Sequence, residues 1–137
     1  MITIKNRLIP FSGFAALTLW PFVFVRQDLS ERGRRHEGTH LAQELEVMMA
    51  MCAIVGAAMI MGASPWWLVL VPATYYILYV AEWLVRLLLY RDRTEAYRNI
   101  STEQEAYLHE NEALYLTERQ PFAWLRYLTR KTWRKVR

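Results

Sequence analysis

A chain of 137 residues, 54% of them hydrophobic and 14% aromatic, has one domain's worth of core and excludes a second. Its single cysteine, Cys52, excludes an intrachain disulfide and a thiolate metal cluster. The net charge of +4 gathers in "RGRR" (32–35) and "RKTWRKVR" (130–137) without an aromatic-basic stripe, which argues against nucleic acid and for an anionic membrane surface.

Residues 1–28 read as β structure. The runs "MITIKNRLIP" and "LTLWPFVFVR" are rich in Ile, Thr, Val, Phe and Trp, and "PFSG" (10–13) punctuates them as a hairpin turn. Pro21 has no N–H for a ladder, which puts the second strand at a sheet edge. No secretory signal is expected, because residues 1–7 alternate polar and apolar and no small-residue cleavage site follows "GFAALTLWPFVFV".

Ser30, with Glu31 behind it, is placed to cap a helix. No proline interrupts until Pro65, so one helix over 30–61 is expected, about 45 Å long at 1.5 Å per residue. "GASP" (62–65) ends it, and a second helix covers 66–90 with Pro72 as a candidate kink. "RDRTEAYRN" (91–99) is a polar connector or a short helix. Either Ser101 or Thr102 caps a third helix, 102–117, where Glu105 is spaced to close a capping box with Thr102. Pro121 opens a last basic, Trp-bearing helix. The expected class is α+β, mostly α, in a single domain, 1–137.

Nothing charged falls between Glu46 and Glu82. Residues 47–63 and 65–81 are two uncharged runs of seventeen, each at the lower end of the roughly 17–25 residues that span a bilayer. Trp66 and Trp67 at the turn suit a membrane interface, and Glu82 and Arg86 are spaced to pair on one helix face. A helical hairpin in the membrane is therefore expected. The Arg/Lys excess at its open end puts both termini on the cytoplasmic side.

The long helix begins with His36-Glu37-Gly38-Thr39-His40. One turn apart on a helix, His36 and His40 can grip one Zn²⁺, and Glu37 can take a proton from the water that attacks. Gly38 costs about 1 kcal/mol of helix stability against Ala, and one reason to place it there is room for substrate. A catalytic zinc takes three protein ligands and keeps a fourth position open. "HLAQELE" has no third His, so the third ligand is sought on another helix, in "NISTEQEAY" (99–107).

HExxH followed some sixty residues later by E-x-x-A on a second helix resembles the gluzincin metalloproteases. Nearly the full length also resembles a family of small bacterial HExxH membrane proteins, on "PFSGF", "FVFVR", "HEGTHLAQ", "YYILYVAEWLVRL" and "AYRNISTEQEAY". The resemblance implies a single zincin-like domain with His36, His40 and Glu103 as zinc ligands and Glu37 as general base. Glu105 is the rival to Glu103, or else a cap. Tyr107 stands where gluzincins carry an acid that holds a zinc-binding His; Glu44 and Glu82 are candidates to replace it, and Gln43 is also well placed. Tyr97, Tyr107 and His109 are candidate donors to a developing oxyanion.

His40 lies seven residues before Val47, about 10 Å along a helix, so the metal is expected just cytoplasmic of the bilayer. The strand before the helix is placed either to pair with an extended peptide, as in zincins, or only to pack on the helix. The expected function is a membrane-anchored zinc metallopeptidase acting on a peptide or protein at the cytoplasmic face of the bacterial inner membrane. The alternative is a non-catalytic metal-binding membrane adaptor.

Overall fold

A computed structural model describes residues 1–6 and 16–132. Three strands come first: β1 (Ile2–Lys5), β2 (Ala16–Leu19) and β3 (Phe22–Val25). They form one sheet in the order β1-β3-β2, with β3 parallel to β1 and antiparallel to β2. This corrects two expectations. The hairpin turns at Trp20-Pro21, between β2 and β3, and the strand after Pro21 is central. Pro21 is tolerated because it sits in the turn, where no ladder hydrogen bond is asked of it. "PFSG" lies outside the described residues. Alternation in "FVFV" buries Val23 and Val25 completely and leaves Phe22 outside.

Helix α1 (Glu31–Ile60) starts as expected, with the Ser30 hydroxyl accepting from the Gly33 N–H at 3.1 Å. It ends at Gly62, whose φ of +95° is the left-handed stop that glycine supplies without strain. A 3₁₀ turn (Pro65–Leu70) leads into α2 (Val71–Tyr90). Pro72 starts α2 and does not kink it, since a first-turn N–H has no intrahelical partner to lose. Helix α3 (Arg93–Arg98) is capped by Asp92, which accepts from the N–H groups of Thr94 and Glu95 at 2.9 Å each.

Helix α4 (Ser101–His109) is shorter than the expected 102–117; a loop and a single turn, α5 (Tyr115–Glu118), fill the rest. No capping box forms. The Glu82 carboxylate from α2 accepts from the Ser101 N–H (2.8 Å) and hydroxyl (2.6 Å) and so caps α4 from outside. After Pro121 the described chain carries only a 3₁₀ turn, Ala123–Tyr127, where an α-helix was expected. Arg86, buried beside Glu82, donates to the carbonyls of Tyr127, Leu128 and Arg130. Those carbonyls stay outside a regular helix because Arg86 satisfies them.

The core lies around α4, where Ser101 to Ala106 are all buried against α1 and the 123–127 turn. Away from it the long helices are bare. The stretches Glu31–Ile60 and Pro65–Tyr90 are long and apolar enough to cross a membrane, with only 22% and 11% of their most apolar windows buried. A core helix of a water-soluble protein would be mostly covered. Exposed apolar side chains on α1 and the segment before α2 include Met49, Ile54, Ile60 and Trp66. On α2 they continue from Ile77 through Val85 and Leu88 to Leu89.

Candidate metal centre

One turn of α1 and the first turn of α4 face each other across the core. His36 and His40 come from α1, Glu103 from α4, and all three are buried. The two Nε2 atoms are 3.2 Å apart. Glu103 Oε2 lies 3.6 Å from His36 Nε2, and Oε1 lies 3.4 Å from His40 Nε2. Ligands at zinc's 2.0–2.1 Å bond lengths stand about 3.3 Å apart at the corners of a tetrahedron. The three groups are thus spaced as metal ligands before any ion is considered.

Hydrogen bonds on the far sides of the rings decide what the near sides offer. Glu110 Oε2 sits 3.1 Å from His36 Nδ1, and a carboxylate only accepts, so His36 carries its proton on Nδ1. Gln43 Oε1 sits 2.9 Å from His40 Nδ1. The Gln43 amide cannot be turned round, because its Nε2 donates to the Thr102 carbonyl (3.1 Å) and to Glu105 Oε2 (3.0 Å). His40 therefore also carries its proton on Nδ1. With Nδ1 turned to its acceptor, each ring presents Nε2 to the other ring and to the Glu103 carboxylate, the side from which a shared cation would be held. Glu103 Oε2 is buried without a hydrogen-bond partner, as an oxygen reserved for that cation would be.

Electrostatics point the same way. Burial would lower the His36 ring, but the carboxylates of Glu103, Glu37 and Glu110 outweigh it and raise its pKa above the ordinary value. Burial would raise the Glu103 carboxyl, yet the His40 and His36 rings hold it below the usual range. The pocket attracts positive charge and keeps its carboxylate ionised, which is the donor set a divalent metal takes.

Glu37 lies at the wall of a cleft of about 770 Å³ that also touches His36, Val80, Trp83, Tyr97 and Tyr107. Thr18 of β2 donates to Glu37 Oε2 at 2.5 Å, so the sheet orients this carboxylate. Burial first, then the charge of Glu103, raises the pKa of both Tyr97 and Tyr107, so each phenol stays a protonated donor near neutral pH. The Tyr107 ring also stands edge-on to His36, centroids 4.6 Å apart.

Other expected site residues are used elsewhere. Glu105 is not beside the histidine nitrogens; it holds Gln43 and pairs with Arg119, while the Tyr115 hydroxyl donates to it at 2.7 Å. Glu44 accepts from the Trp20 N–H and meets the Tyr76 hydroxyl, each at 2.6 Å, tying the sheet to α1 and α2. Glu82 caps α4. His109 stacks on Tyr115, centroids 3.8 Å apart, and its Nε2 meets the Tyr127 hydroxyl at 3.1 Å, so it is not an oxyanion donor here. A Cβ on Gly38 would stand 2.8 Å from a methyl of Leu116, so that space takes α5 and not substrate.

The edge of β2 is also partly closed. The Thr18 carbonyl accepts from the Tyr76 hydroxyl (2.6 Å) and the Trp20 N–H goes to Glu44, which leaves Ala16, at the cleft, as the residue for pairing with a peptide. Three residues were not foreseen: Glu110, Thr18 and Tyr79, whose hydroxyl donates to Glu103 Oε1 at 2.7 Å. Glu110 had a signal, since it follows Glu103 by two helical turns. Comparison with protein-family models, curated proteins and solved structures finds no match for this chain.

Proposed function

We propose that the protein is a zinc-dependent metallopeptidase of gluzincin type, anchored in the bacterial inner membrane by its helical hairpin. The observation that carries the reading is the convergence of His36 Nε2, His40 Nε2 and the Glu103 carboxylate at tetrahedral spacing, with Glu37 beside them at a cleft. Two imidazoles and one carboxylate, with a position left open, are the protein ligands of a catalytic zinc rather than a closed structural one. When bound, zinc supplies a Lewis acid that polarises water and the scissile carbonyl. Glu37 takes the proton of the attacking water and delivers it to the leaving amine nitrogen. Tyr97 and Tyr107 donate to the carbonyl oxygen as it gains charge. The Arg/Lys excess at the open end of the hairpin supports an orientation with the site toward the cytoplasmic side.

Zinc content and peptide hydrolysis of detergent-purified protein test this together. Wild type and Glu37→Gln are expected to carry about one zinc per chain, and His40→Ala and Glu103→Ala none, as a three-ligand site requires. Hydrolysis of a peptide mixture, followed by mass spectrometry, is expected for wild type and absent in Glu37→Gln. Equal turnover in Glu37→Gln would remove that residue from the mechanism. No zinc in wild type, even after resupply, would refute the metallopeptidase reading.

A further inference from the structure

The cleft beside His36 and Glu37 has two features that the metal chemistry does not use. Its α2 wall is Val80 and Trp83 beside Tyr79, and Val80 belongs at the same time to the bare apolar face of that helix. The apolar surface thus runs without a charged interruption from the outside of α2 into the cleft, because Glu82 and Arg86 are turned inward to Ser101 and the chain near Tyr127. The second feature is a pair of arginines. Arg32 is neutralised by Glu110. Arg93, at the start of α3, lines the cleft exposed and has no anionic partner among the described residues.

With β2 closed at Thr18 and Trp20, main-chain pairing has little edge to use, so side-chain chemistry carries more of the recognition. We infer that the cleft takes an apolar peptide segment bearing a carboxylate, its large side chains against Val80 and Trp83 and its carboxylate on Arg93. The inference rests on the metallopeptidase reading and names the substrate class for it. An exposed arginine facing an apolar wall distinguishes such a peptide from a neutral or cationic one, since a ligand cation would meet Arg93 with like charge.

Calorimetric binding to the zinc-loaded, detergent-purified full chain tests it with hydroxamate-capped probes. Acetohydroxamate reads the metal alone. Hydroxamate-capped Leu-Leu with a free carboxylate is compared with its C-terminal amide, with Gly-Gly, and with Leu-Glu amide. Burying leucine side chains is expected to tighten binding about tenfold or more over Gly-Gly. The carboxylate is expected to add about tenfold over the amide. Val80→Asn, polar but uncharged, should abolish the first gain only and Arg93→Gln the second only, with zinc content and acetohydroxamate binding kept in both as the check on folding.

If Leu-Glu amide matches the free carboxylate, either a side-chain or a terminal carboxylate serves; if it matches the plain amide, the anion is a chain terminus. Equal binding of Leu-Leu and Gly-Gly, or gains that survive both substitutions, would overturn the substrate class while the metal site stands. Absence of zinc and of acetohydroxamate binding would instead be the failure of the metallopeptidase reading.

Discussion

The ring orientation of each histidine depends on one acceptor behind it. Glu110 does this for His36 directly, and Glu105 does it for His40 through the Gln43 amide. Removing such a support typically costs 10–100-fold in metal affinity. Glu110→Ala is therefore expected to weaken zinc binding by about that factor, and Glu110→Gln by less, because an amide oxygen still accepts from Nδ1–H. Competition with a chelator of known affinity checks both. Glu105→Gln removes the anion that holds the Gln43 NH₂ group in place. The expected result is weakened zinc binding with a shift of the His40 proton toward Nε2, visible in imidazole nitrogen chemical shifts of the metal-free protein; unchanged shifts would mean that the Thr102 carbonyl alone holds Gln43. HExxH was legible at this scale because two side chains one helical turn apart need only local geometry. Glu110 is marked only by its two-turn spacing from Glu103 on α4, whereas Thr18 and Tyr79 were not legible, because each arrives from another element and no spacing in the chain marks it.

Elements held by buried charge show the same division. The guanidinium of Arg119, beyond α5, sits almost fully buried between Glu105 of α4 and Glu46 of α1. Arg119→Met leaves two carboxylates without their cation in the interior, and breaking buried pairs from one side costs about 3–5 kcal/mol. Denaturant unfolding of the metal-free chain in mild detergent should show a loss of that order, whereas a change below about 0.5 kcal/mol would be surface behaviour. The first long helix was readable to within a residue at each end and the second at its C-terminal end, since Ser30, Gly62 and the apolar runs act within one turn of themselves; the start expected at 66 is a 3₁₀ stretch, and α2 begins at Val71. The third helix was not readable. Its expected cap residues, Ser101 and Thr102, are inside the helix, and the groups that satisfy its start come from Glu82, nineteen residues before Ser101.

At the scale of the whole molecule, α1 and the stretch Pro65–Tyr90 are long and apolar enough to cross a membrane, and their apolar faces are bare. A charge placed there separates water from lipid. Ile54→Asp and Ile77→Asp replace exposed side chains; in water such changes fall within about 0.5 kcal/mol, but in a bilayer each costs about 2.5–3.5 kcal/mol at a helix centre. Membranes washed with alkaline carbonate are expected to retain the wild type and to lose a larger share of each Asp variant. Wild type released without detergent would sink the spanning hairpin. Exposed apolar residues on α2 also run on from Tyr79, which touches Glu103, to Leu89, about 15 Å further along the helix. The candidate site therefore stands alongside the apolar face of α2, whereas the run lengths alone had put it beyond the end of that surface.

By itself the sequence determined the helical hairpin, the start of the long helix and the pair of histidines with their glutamate, because periodicity, capping and i, i+4 spacing all act over a few residues. Only the tertiary structure put Glu103, and not Glu105, beside the two histidines, turned the strand after Pro21 into the centre of the sheet, and set Glu110 and Gln43 behind the imidazole rings. Those choices depend on which groups meet across the core. A buried carboxylate takes its role from the partner it finds there, and Glu103 finds two imidazoles where Glu105 finds an arginine and an amide.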